Sequence, residues 1–173
     1  MSELKQTVHT LHEELARAQQ LGPEDRALLE SALADLSDGP PARALEQLAA
    51  LAAALPAAAW HHAEALFFAG RADSALPRYQ AIAADPRGPF GGAALERVYL
   101  IEDAGPHPAL ATFGRIAYER WRGADGAALA LTDSLARALP RGPLWARAAL
   151  LLAGAPSACR GEMDAGTALI FLT

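Results

Sequence analysis

The stretch WHHAEALFFAGRADSALPRYQAIAADP, Trp60 to Pro86, opens the segment Trp60–Arg120 that decides the fold. Small Ala63 and then Leu66 precede a turn at Gly70. Ala75, Tyr79 and Ile82 follow at helical spacing, and Asp85-Pro86 closes the stretch. The pattern describes two helices back to back. An alanine-sized notch lets one approach the other, and an aromatic ring one turn later fills the gap between them.

The pattern then recurs. Ala75, Tyr79 and Ile82 return as Ala109, Phe113 and Ile116, and Leu66 returns as Leu100, each 34 residues later. A period of about 34 residues with an Ala-x3-aromatic core resembles the tetratricopeptide (TPR) repeat, a helix–turn–helix unit. The resemblance covers residues 57–154. The second copy departs from it at Arg97, where the small first-helix residue belongs, and at Arg120 in place of the closing proline. A third copy would place Pro143 and Arg147 at the Ala and aromatic positions, so the register ends there. The resemblance implies an all-α chain of about nine helices, with antiparallel hairpins stacked as a short TPR-like solenoid and a non-catalytic binding surface for a protein or peptide.

Composition agrees with helices. The 173 residues are 52% hydrophobic but only 6% aromatic, and the apolar content is mostly Ala and Leu, the strongest helix formers. Net charge is −5, all of it from residues 1–56, since residues 57–173 balance. No basic stripe runs along the chain, which disfavours nucleic acid. One cysteine, Cys159, excludes an internal disulfide. The N-terminus lacks an apolar signal core, and the longest apolar run, Ala148–Ala155, is too short for a membrane span, so a cytoplasmic protein is expected.

Pro and Gly punctuate the helices. The first, Glu3–Gln20, carries a Leu4/Val8/Leu11/Leu15/Ala18 seam. Pro23 opens the second, with Leu29, Leu33 and Leu36 inward. Residues 1–39 form an N-terminal helical hairpin. Leu11-His12-Glu13-Glu14-Leu15 through Pro23-Glu24-Asp25-Arg26-Ala27-Leu28-Leu29 resembles, over the N-terminal ~35 residues, a short uncharacterised bacterial helical family, which implies no activity. Residues 40–155 form the helical array, with expected helices at 42–55, 57–69, 72–84, 93–103, 108–122, about 127–139 and 144–153. Leu95, Val98 and Ile101 are expected inward, with Tyr99 and Trp121 as further candidates. Residues 156–173 form a non-periodic tail whose apolar end, Ala168–Leu172, suggests a monomer or a weak homodimer.

The chemistry-bearing residues are sparse. His9/His12 and His61/His62 could serve a metal-dependent enzyme only by converging, because a catalytic zinc needs three protein ligands. A solvated helix face explains His9/His12 without a metal, and a polar edge beside the first repeat explains His61/His62. Cys159 has no neighbouring His, and the Gly-rich turns 85–92 and 123–126 lack a phosphate-loop lysine. The expected site is a docking face of Arg71, Arg78, Arg115 and Arg122 with Trp60 or Trp121 as an apolar anchor. The repeat core beneath it comprises Ala63, Leu66, Ala75, Tyr79, Ile82, Leu100, Ala109, Phe113 and Ile116. No cofactor or metal is expected. A protein partner, bound in the manner of an antagonist or antitoxin, competes with the metal-enzyme reading and with a truncated or synthetic chain that has no selected function.

Overall fold

The computed structural model describes residues 22–153. They are all-helical, with eight α-helices, one 3-10 turn and no strand among the described residues. The helices are α1 (Pro23–Asp38), α2 (Leu45–Leu51), α3 (Pro56–Phe68), α4 (Ala72–Ala83), α5 (Gly91–Ala104), α6 (Ala109–Trp121), α7 (Asp125–Ala138) and α8 (Pro143–Ala153). The expected helix Glu3–Gln20 and the tail 156–173 lie outside the described residues. None of these helices is long and apolar enough to cross a membrane.

Proline and glycine set the boundaries as elementary backbone chemistry requires. Pro23 begins α1, where a missing N–H costs nothing, and Glu24 and Asp25 sit on the positive end of its dipole. Gly70, Gly105 and Gly123 all have positive φ, at 75°, 56° and 74°, and each follows the end of a helix. The helix expected at 42–55 is shorter than its sequence suggests. Pro40-Pro41 impose a 3-10 turn, Pro41–Arg43, before α2 begins.

Pro77 is the exception to this punctuation, since it lies inside α4. Without an N–H it cannot donate to the Asp73 carbonyl one turn back, and its ring crowds that carbonyl. Pro77→Ala is therefore expected to stabilise the fold by about 2 kcal/mol, the helix-interior penalty less the entropy returned to the unfolded chain. Urea midpoints of the two proteins measure it, and an unchanged midpoint would mean the helix has absorbed the ring without strain.

The described residues belong to two compact units. One comprises the residues up to Leu66 together with Asp73–Val98, and the other comprises Phe67–Ala72 and the residues from Tyr99 onward. The core of the first unit is built from Leu36, Leu48, Ala58, Ala63, Ala75, Tyr79 and Ala94. A hydrogen bond from Gln47 Nε2 to Asp35 Oδ2, 3.0 Å, ties α2 to α1. In the second unit α6 packs against α7, and α7 against α8. Phe67, Leu100, Phe113, Ile116, Leu135 and Leu152 are buried in this unit.

The backbones in the second unit approach closely at Gly114 of α6. A Cβ there would lie 2.2 Å from the carbonyl oxygen of Phe67. Beside this contact, Gly70 lies against Ala111, where an added Cβ would come 3.5 Å from the alanine methyl.

Three expectations about apolar side chains are corrected. Leu95 is 41% exposed, and Tyr99 is exposed as well. The buried line of α5 runs instead through Gly91, Ala94, Val98 and Ile101, and it starts where Gly91 meets the Asp85-Pro86 turn too closely for a Cβ. Trp121 is 38% exposed, at the very end of α6, where the covering layer gives out.

Candidate functional site

Three features stand out as chemistry. The first is a buried polar knot in the first unit. Glu64 of α3 is buried, and a buried carboxylate must be paired and hydrogen-bonded to be tolerated. It is both. The Tyr79 hydroxyl of α4 donates to Glu64 Oε1 at 2.6 Å. Arg97 of α5 donates from Nε to Oε1 at 2.8 Å and from Nη2 to Oε2 at 3.0 Å, a two-pronged pair. One carboxylate thus joins three helices. Burial alone would lower the Arg97 pKa, but the hydrogen bonds and charge of Glu64 outweigh it and hold the guanidinium above its ordinary range.

Around the knot, Trp60 packs between two rings. It stacks on Phe90 with centroids 5.4 Å apart and planes 4° from parallel, and it tilts against Tyr79 at 5.7 Å. Turns in the 85–91 loop deliver Phe90. Arg87 N–H donates to Asp85 Oδ1, and Gly88 N–H donates to the Asp85 carbonyl. Trp60 is half-buried there, engaged by a ring on either side.

Two side chains of this region give the fold a pH dependence. Burial lowers the pKa of His61 from 6.5, while the charge of Glu64 works the other way. Below pH 6.5 the unfolded chain then binds more protons at this residue than the folded one. Stability from His61 is complete above that pH and is lost as the solution is acidified, by at most about 1.4 kcal/mol per pH unit. Burial, and then the charge of and hydrogen bond to Glu64, hold the Tyr79 hydroxyl well above its usual value of 10. There the folded state keeps a proton that the unfolded state releases, so stability falls again above pH 10. Urea midpoints between pH 5 and 11 should trace both limbs. His61→Gln should flatten the limb just below pH 6.5 and leave the alkaline one unchanged.

The second feature is a shallow groove of about 400 Å³ in the same unit. Its lining is mostly alanine, from Ala49, Ala52, Ala53, Ala59 and Ala81, and is completed by Ile82, His62 and Arg78.

The third feature lies in the second unit, at the end of α6. Phe68 packs on Tyr118 at 5.4 Å and on Trp121 at 6.2 Å. The Arg122 guanidinium lies 5.2 Å from the centre of the Tyr118 ring. At about 100° per residue, Ala111, Arg115, Tyr118 and Arg122 fall within a narrow arc of α6, with Glu119 at its edge and Arg120 on the far side. Arg115 and Arg122 are exposed. Arg71 is exposed in the turn next to Gly70, at the Ala111 end of the arc. Among the described residues no ion pair engages Arg71, Arg115 or Arg122.

The expected docking residues thus separate. Arg78 and Trp60 lie in the first unit, and Arg71, Arg115, Trp121 and Arg122 lie in the second. Of the repeat core, Ala63, Leu66, Ala75, Tyr79, Leu100, Ala109, Phe113 and Ile116 are buried, and Ile82 is half-buried on the groove. His61 and His62 are successive residues of α3, but the polar edge expected of them is corrected, since His62 is buried and His61 half-buried; His9, His12 and Cys159 lie outside the described residues. No three His, Cys, Asp or Glu side chains gather to hold a metal ion among the described residues. Sequence reasoning missed the Glu64–Tyr79–Arg97 knot, although the signal was present. An arginine where the helical pattern calls for a small inward residue needs an acid to meet it.

No family model, curated protein or solved structure matches this chain.

Proposed function

We propose that this chain is a non-catalytic protein–protein interaction module of the cytoplasm. On this reading, TPR-like helical hairpins carry a surface that occupies a partner, in the manner of an antagonist or antitoxin. The observation that supports it most is the end of α6. Trp121 there is a large aromatic residue left partly in solvent and backed by Phe68, with Arg122 beside it. Trp and Arg are the side chains that most often dominate binding energy at protein interfaces, and an anchor already braced from behind loses little entropy on docking. The buried knot has the opposite character. Each of its groups is engaged by another, which suits a girder better than a reaction centre.

A photo-crosslinking amino acid placed at position 121 tests the proposal in lysate of the source cells. The same group at position 120, on the far side of α6, is the control. A discrete adduct formed from position 121 and not from 120 is the expected result. Equal labelling from both positions, or none from either, would count against it.

A further inference from the structure

We infer that the α6 face of the second unit takes an acidic peptide segment carrying an apolar side chain. The segment's carboxylates would lie on Arg71, Arg115 and Arg122, and its apolar residue would lie on Trp121. The inference rests on the interaction reading above and adds the chemistry of the partner.

Charge is the first argument. The chain as a whole is negative, at −5, yet this face gathers three arginines, with Glu119 at the edge of their arc on α6. Each guanidinium presents a planar fork that matches a carboxylate. Arg115 and Arg122 are seven residues apart on α6, about 10 Å along the helix axis. Arg71 lies beyond them, beside Gly70 and Ala111. A bound segment must therefore present acids spread over two turns of helix or more, which describes a peptide better than one small anion.

Geometry is the second argument. Arg122 is held over the Tyr118 ring. The same ring packs on Phe68, which also braces Trp121. The guanidinium and the indole are therefore positioned by one aromatic group before any partner arrives, so a single ligand can use both. An oligonucleotide could also use arginines and an exposed indole. However, the three arginines end at a carboxylate edge, and the face lacks the continuous basic track that a phosphate backbone follows.

A random dodecapeptide library displayed on phage, panned on the full chain, tests the inference. The Arg115→Glu/Arg122→Glu protein, first shown to melt like the parent, serves for counter-selection. Enriched peptides should be rich in Asp and Glu around an apolar residue. Their synthetic copies should bind at least tenfold more weakly to the double variant and to Trp121→Ala, and severalfold more weakly at high salt. Arg120→Glu should leave binding unchanged. Enrichment of peptides without acids that still need Trp121 would overturn the acidic partner and leave the interaction module standing. No enrichment, with the cross-link from position 121 present, would also overturn only this inference. No enrichment and no cross-link would remove both. Tighter binding of a labelled 20-nucleotide oligouridine than of any enriched peptide would overturn the inference in favour of RNA.

Discussion

Arg97→Ala should cost about 3–5 kcal/mol of folding free energy, enough to unfold a marginal domain, because it strands the Glu64 carboxylate inside the first unit. The size comes from the charge left behind more than from the pair removed. Arg97 gives two hydrogen bonds to a side chain that the Tyr79 hydroxyl alone would then have to satisfy. A double-mutant cycle separates the two contributions. Glu64→Leu with Arg97→Met removes both charges and keeps roughly the same volume, so it should lie within about 1–2 kcal/mol of the parent. Chemical denaturation of the four proteins is the measurement. If Arg97→Ala alone were as stable as the parent, the carboxylate would have to be reaching water, and the buried knot would not exist. Tyr79→Phe is the milder test. It removes one donor while Arg97 still holds the carboxylate, and it should cost about 1–2 kcal/mol.

Gly114→Ala should be nearly as damaging, at about 3 kcal/mol, and Gly114→Val should prevent folding of the second unit. Alanine is normally the better helix residue by about 1 kcal/mol, so the sign here is set by contact and not by propensity. The atom in the way is the Phe67 carbonyl oxygen, 2.2 Å from the added methyl position, and a backbone atom has no other rotamer to adopt. Gly126 supplies the contrast. It lies in the first turn of α7 with nothing within 4 Å of an added Cβ. Gly126→Ala should stabilise the fold by about 0.5–1 kcal/mol. Thermal melts of the two alanine variants should therefore move in opposite directions, and a stabilised Gly114→Ala would mean the helices stand further apart than described.

Much of the helical plan was legible because its punctuation is chemical. Pro23, Gly70, Gly105 and Gly123 mark boundaries by what their backbones can and cannot do, and the helices end beside them. The alternation of Ala63 with Leu66, and of Ala75 with Tyr79, was legible as a buried face for the same reason. Leu95 was misread because Leu95, Val98 and Ile101 make a tidy apolar series at helical spacing. Gly91, Ala94, Val98 and Ile101 make another, and only the packing of α5 reveals that smallness mattered more than hydrophobicity. Gly91 shows how strict this is, since a Cβ on it would meet the Asp85 carbonyl oxygen at 2.3 Å. Pro77 inside α4 defied local propensity, and tertiary packing prevailed over it. The candidate face was legible only as a set of arginines and tryptophans. Which of them share a surface depends on the course of the chain, and that put Arg78 in one unit and Arg115 in the other.

The three tryptophans have a practical consequence. Trp60, shielded by Phe90 and Tyr79, belongs to the first unit, whereas Trp121 and Trp145 belong to the second. Replacing the other two with phenylalanine leaves one emitter per molecule. The colour and intensity of its fluorescence then report the melting of its own unit, so one cuvette can reveal whether the halves of this chain come apart together or in turn.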